Sequence, residues 1–268
     1  MIRYLGLFIS LWVLVGCEAQ ATPIAAVSSV ATVEPQFVDV TQPPPMRYGI
    51  ADHTLPYVTD IGQIREFALV ESMPPNPDLT TYDVALAYGI YEGWQQAPIS
   101  HTVSLIINAQ LAPLNNIDIQ TLLRQSLNTQ AIIDSTGISG LIAAASERLS
   151  AAQIRNTLAN LGYPDGFRLT VAIEPLPATQ TVIQQLTAIN LDIVTTEIES
   201  LAEAEDILAN NRAHVLLIRW QNESERSQWV ARVGENFIID LYTLPISYVA
   251  RDSITISFTE NGWAIADR

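Results

Sequence analysis

The feature that most constrains the fold is an ordered alternation of patterns between residues 150 and 220. Ser150 followed by Gln153 is a capping-box pattern, Gly162 stands where a C′ glycine belongs, and Pro164-Asp165-Gly166 turns the chain into an apolar strand over 167–173. Val182, Ile183, Leu186 and Ile189 share one helical face over 179–189, and a strand follows over 191–198. Ser200 with Glu203 repeats the capping pattern and opens a helix that ends near Asn210 and Asn211, after which His214 to Trp220 returns as a strand. Strand, helix, strand, helix, strand at these lengths predicts two βαβ crossovers in an α/β fold, hence a parallel sheet covered on both faces.

Upstream, residues 81–88 and 102–108 are short and rich in β-branched or aromatic residues, so they predict strands, with a loop over 89–98 between them. Asp118 is expected to cap a helix running to Ala131, with Leu122, Leu123, Ser126 and Leu127 on one side. The closing stretch, 235–267, alternates strand and turn signals and is expected to return to the first part of the chain.

The N-terminus reads differently. One positive charge at Arg3 precedes an uncharged apolar run from Tyr4 to Val15, the layout of a signal peptide over 1–16. The run is shorter than the roughly 20 residues of a membrane span. Its end, Leu14-Val15-Gly16-Cys17, resembles the lipobox of bacterial lipoproteins, which implies cleavage before Cys17 and acylation of its sulfur. Cys17 is the only cysteine in 268 residues, so a fold without disulfides must rest on its own core. Residues 17–45, rich in Ala, Thr, Val, Ser and Pro, read as a flexible tether to the membrane.

Hydrophobic residues make up 49% of the chain and charged ones 15%, a globular balance. The formal charge is −15, and all 13 basic residues are Arg. Such a chain is repelled by phosphate backbones, so nucleic acid is not expected as a partner.

The run Leu158-Ala159-Asn160-Leu161-Gly162-Tyr163-Pro164-Asp165-Gly166-Phe167 resembles the extracytoplasmic solute-binding proteins of peptide- and nickel-type ABC transporters. Asn108, Pro113 and Leu123-Arg124-Gln125-Ser126-Leu127 are similar to that family's hinge Asn, the following Pro and a helix. Residues 191–197 and 215–220 are similar to its next strands. The resemblance implies a two-lobed, periplasmic-binding-protein-like fold of type II, with 46–108 in the first lobe, 109–234 in a parallel-sheet second lobe and 235–268 returning to the first. It further implies a small-molecule or peptide ligand between the lobes and an ABC permease as partner. Members of that family are nearly twice this length, so much of their pocket wall is expected to have no counterpart here. A chain that kept the fold and lost the pocket would instead serve as a cell-envelope interaction module.

Ligand contacts are expected on loops and strand ends where lobes meet. Trp94 and Gln95 follow a strand, Asn108 ends one at the expected hinge, Trp220 ends the central strand, and Tyr242 precedes Leu244-Pro245. Three of them have a second reading: core or interface packing for Trp220, a hinge hydrogen bond for Asn108, a buried strand for Tyr242. Catalysis finds little support. Gly137-Ile138-Ser139-Gly140-Leu141 lacks the last glycine of a nucleophile elbow, and His53, His101 and His214 stand alone, without metal-ligand spacing. Neither an enzyme nor a metal or other cofactor is expected.

Overall fold

The computed structural model describes residues 46–51, 68–73, 80–220, 222–258 and 264–267. The signal peptide, Cys17, the tether and His53 lie outside them. Eleven strands are described: β1 (Met46–Ala51), β2 (Ala68–Met73), β3 (Val84–Tyr88), β4 (Gln95–Ile107), β5 (Ile142–Ala143), β6 (Arg168–Ile173), β7 (Asp192–Glu197), β8 (Val215–Trp220), β9 (Ile238–Ala250), β10 (Thr255–Phe258) and β11 (Ala264–Asp267). The described helices are α1 (Ile117–Ser126), α2 (Thr129–Asp134), α3 (Ala151–Asn160), α4 (Thr179–Thr187), α5 (Leu201–Ala209) and α6 (Glu223–Val233).

One sheet orders its strands β2-β1-β3-β9-β4-β8-β6-β7, and β10 and β11 form a separate antiparallel pair. The three strands at each end run parallel to one another, while β9 and β4 in the middle are antiparallel to each other and to their outer neighbours. The expected parallel unit of β6, β7 and β8 is present, but within a mixed sheet. The two ends follow one chain order: middle strand first, then edge strand, then the strand that meets the long pair.

β9 and β4, each 13 residues long, reach from one end to the other. β3 pairs with residues 246–250 of β9, whereas β8 pairs with residues 102–107 of β4. The two halves therefore meet where His101 lies opposite Leu244. The segment from Pro44 to Arg268 is one compact unit.

Several local expectations change. Gln95 to Pro98 belong to β4 rather than to a loop, because a register shift between Gln96 and Ser100 absorbs the proline without interrupting the strand. The helix expected over 118–131 starts one cap earlier, where Asn116 Oδ1 accepts from the Asp118 amide. It breaks at Leu127, because Asn128 caps a new helix through the Ala131 amide. Both faces of β8 are covered, but β7 is an edge strand and mostly exposed. The capping box at Ser150 is complete; at Ser200 the Glu203 carboxylate accepts from the Glu199 amide instead of that of Ser200.

Candidate functional site

Strand direction locates the site. In parallel α/β units ligands gather at the carboxyl ends of the strands, and here those ends face one junction from both sides. β3 ends at Tyr88 opposite Ile246, and β8 ends at Trp220 opposite Thr102. Strand alternation then sorts the side chains: Val84, Leu86 and Tyr88 share the main core with Val103, Leu105, Val215, Leu217 and Tyr242. His101 and Arg219 continue that face.

At the junction they form a buried polar chain. Arg219 Nε donates to Glu174 Oε1 at 2.6 Å, and the Arg219 amide donates to Glu174 Oε2 at 3.0 Å. Glu174 follows β6, and its own amide donates to Leu217 O, so its carboxylate extends the ladder one position past the strand. Arg219 Nη1 donates to the Tyr88 hydroxyl, whose oxygen lies 2.8 Å from His101 Nδ1. With the Tyr88 oxygen accepting from arginine, its O–H points to His101 Nδ1, which assigns that nitrogen as the acceptor. The Tyr242 hydroxyl donates to Pro177 O.

Burial sets the charges. Arg219 is 5% exposed and His101 fully buried. Desolvation, reinforced by the Arg219 charge, lowers the His101 pKa to about 3, so the imidazole is neutral at neutral pH. Burial alone would lower the Arg219 pKa, but Tyr88 and Glu174 outweigh it and hold the guanidinium charged. Burial raises both Tyr88 and Tyr242, keeping the phenols protonated. The result is one compensated ion pair, with Glu174 as its partly accessible member: its side chain is 18% exposed, against 4% for that of Arg219.

Of the five residues expected from the sequence, none is bonded into this chain, and only Tyr242 lies on its face of the sheet, in the same core as Tyr88 with its hydroxyl on Pro177 O. Trp220 is 2% exposed on the opposite face of the sheet, where it packs against Trp229 and donates to Ser104 Oγ. Ser104 Oγ in turn donates to Asp240. Trp94 is half-buried in the first half, tilted against Tyr91 and packed on the small cluster of Ala51, Tyr82, Ala85 and Ala87. Gln95 is exposed and accepts from the Tyr248 hydroxyl. Asn108 lies past the far end of β4, seven positions from His101, roughly 20 Å at strand rise. There it donates to Asn211 and to Ala213 O, beside a groove of about 710 Å³. Tyr88, His101, Glu174 and Arg219 were not singled out as contacts. The available signal was a charge at Arg219 inside an otherwise apolar strand.

Among the described residues, no group of three or more His, Cys, Asp or Glu is placed to hold a metal, and no helix is long and apolar enough to cross a membrane. No family model matches the sequence, and no curated protein does. Solved structures do match. The chain is similar to a dipeptide-binding protein from Pseudoalteromonas sp. SM9913 in complex with Met-Leu, at 11% identity and TM-score 0.53, covering 74% of this chain and 56% of that one. It is also similar to a substrate-binding protein from Microbacterium hydrocarbonoxydans complexed with 4-hydroxybenzoate hydrazide, at 9% identity and TM-score 0.50, covering 70% and 54%. The chain thus spans about half the length of the structures it matches, and over that span it has the α/β fold of periplasmic solute-binding proteins.

Proposed function

We propose that this chain is an extracytoplasmic solute-binding protein of reduced size, of the peptide and nickel type, held to the membrane by lipid on Cys17 and serving an ABC permease. The observation that carries the reading is the convergence of two oppositely directed sets of strand ends on a junction crossed by two long strands. Such an arrangement lets two halves close on a solute by bending the crossing strands. The ligand is a peptide or small molecule held near Tyr88, Arg219 and Tyr242, with Trp94 and Gln95 at the margin of the first half. Asn108 and Trp220 act as structural supports.

One observation favours a second reading, an interaction module of the cell envelope. The junction side chains already satisfy one another, and the matched structures are about twice as long. A thermal-shift titration of the full chain with Met-Leu and with 4-hydroxybenzoate hydrazide separates the two. A ligand at 100 times its Kd adds about 2.7 kcal/mol of stability. A saturable shift with either compound supports the solute reading, and none across a wider peptide set favours the module. The anchor is tested by Cys17→Ser, which is expected to shift the protein from the membrane to the soluble fraction; unchanged acylation of that variant would end the lipid assignment.

A further inference from the structure

Residues 137–143 belong to the second half at both ends. They follow α2, where Ser135 Oγ accepts from Thr181 Oγ1 of α4, and they lead to Leu149, whose amide donates to Gln125 O of α1. Between those anchors the segment leaves its own half. β5 pairs with Tyr242 and Thr243 on the edge of β9 away from β4, end to end with β3, which pairs with the same edge at residues 246–250. The gap between β3 and β5 is bridged by Ile90 and Ser139. The Ile90 amide donates to Ser139 O at 2.9 Å, and Ser139 Oγ donates back to Ile90 O.

Glycines make this approach possible. A Cβ on Gly140 would sit 2.3 Å from Ile90 Cγ1, and one on Gly89 would sit 2.6 Å from Ile138 Cγ2; both glycines have positive φ, +78° and +110°. At Gly137, φ is +68° and nothing lies within 4 Å of the Cβ position, so the segment can turn there without collision. The strap runs from beside Tyr88 of the polar chain to Tyr242, whose side chain shares the Tyr88 core. Its attachment is modest: a two-residue strand, the bond from the Ala144 amide to Leu241 O, the half-buried Leu141 on the main core, and the reciprocal pair at Ile90, which is itself 43% exposed. Exposed hydrogen bonds with little buried apolar area are where local opening begins.

We propose that residues 137–143 are a gate: the strap detaches from Ile90 and β9 about Gly137, and its release opens the Tyr88–Arg219–Glu174 junction to solvent. This rests on the solute-binding reading only for what passes through the gate, since the opening itself needs no solute. Amide hydrogen exchange on the full chain, followed residue by residue, tests it. The amides of Ile90 and Ala144 should exchange together, at least tenfold faster than that of Leu105 in the sheet centre. In an Ile90→Cys/Gly140→Cys variant, oxidation should slow exchange at the Arg219 amide several-fold, and reduction should restore it. Gly140→Ala, which forces Ile90 aside, should accelerate exchange at Arg219. If the cysteine pair does not fold, Gly140→Ala alone decides: faster exchange in the strap with Arg219 unchanged overturns the gate. So does an oxidised cross-link that leaves Arg219 exchange unaltered. Failure of the ligand titration with these results intact would remove the solute and leave the gate.

Discussion

At the β8, β6, β7 end of the sheet, the inner strand places large side chains on both faces: Val215 and Leu217 toward one core, Leu216, Ile218 and Trp220 toward the other. At the β2, β1, β3 end, the inner strand does so on one face only. Val84, Leu86 and Tyr88 point into the main core, while Ala85 and Ala87 meet Ala51 and Tyr82. The reason lies at Gly49, where a Cβ would stand 2.7 Å from the Tyr82 ring. An aromatic ring lying flat on backbone needs small neighbours. Among the described residues, the same strand order is thus finished in two ways, by helices packed on long aliphatic side chains and by the rings of Tyr82, Tyr91 and Trp94 on a floor of Gly and Ala. Only the first leaves a periodic trace in the sequence.

The sharpest way to break this comparison is a charge in the inner strand of the second end. Ile218 is 2% exposed, so Ile218→Asp is expected to cost about 3–5 kcal/mol in denaturant unfolding, as an unpaired buried charge does. Val194→Asp on the edge strand β7, 42% exposed in the native protein, should stay within about 0.5 kcal/mol. If β1 and β3 keep their native hydrogen-exchange protection while β6 and β8 of Ile218→Asp lose theirs, the two ends fold separately despite sharing a sheet.

A smaller effect is expected at the junction. Arg219→Met strands the Glu174 carboxylate, and because that group keeps some water the cost should be about 2–3 kcal/mol, below the 3–5 of a fully buried pair. Arg219→Met/Glu174→Leu should recover most of it, since removing both charges leaves neither unpaired. A double variant as unstable as the single one would mean that Arg219 acts through Tyr88 and His101 rather than through the ion pair.

His101 supplies a pH signature. Its folded pKa is depressed to about 3, so as pH falls below about 6.5 the unfolded chain binds a proton that the folded chain refuses. Stability contributed by this residue is complete above about 6.5 and is lost progressively as pH falls toward about 3, at up to about 1.4 kcal/mol per pH unit. Comparing wild type with His101→Gln between pH 7.5 and 4.5 isolates it, because carboxylates common to both cancel. Parallel stability curves would show that His101 takes up its proton in the folded state.

The second end was legible because its signals are local. Caps at Ser150 and Ser200, the turn at Gly166 and the apolar alternation of β8 each lie within a few residues of what they determine. The join between halves was not, because it depends on residues 131 positions apart in sequence, Tyr88 and Arg219. Trp220 and Tyr242 illustrate the limit. Trp220 ends an apolar run and Tyr242 precedes Leu244-Pro245, and both suggest a binding role, yet strand alternation sends one to the Trp229 face and the other to the face of Tyr88. Which face of a strand holds the polar chain follows from pairing across the sheet. Similarly, the break at Leu127 was hidden because Asn128 fits a helical pattern as well as it caps a new helix.

The smallest expected effect compares the serine caps of two helices in the second end, one before β6 and one between β7 and β8. At Ser150 the box is reciprocal: Ser150 Oγ accepts from the Gln153 amide, and Gln153 Oε1 accepts from the Ser150 amide at 2.9 Å. At Ser200 only the first half exists, because the Glu203 carboxylate accepts from Glu199 at 2.9 Å. Either serine replaced by alanine should cost about 1 kcal/mol, the ordinary loss of an N-cap. The pairs should then differ in coupling. Ser150 Oγ also donates to Gln153 Oε1 at 2.7 Å, so removing either side chain disturbs the other. A double-mutant cycle on Ser150 and Gln153 is therefore expected to show an interaction of about 0.5 kcal/mol or more. The cycle on Ser200 and Glu203 should lie closer to zero, since the two side chains serve different amides. Equal coupling in both cycles would mean that Glu203 swings back to the Ser200 amide in solution, giving α5 the same reciprocal cap as α3.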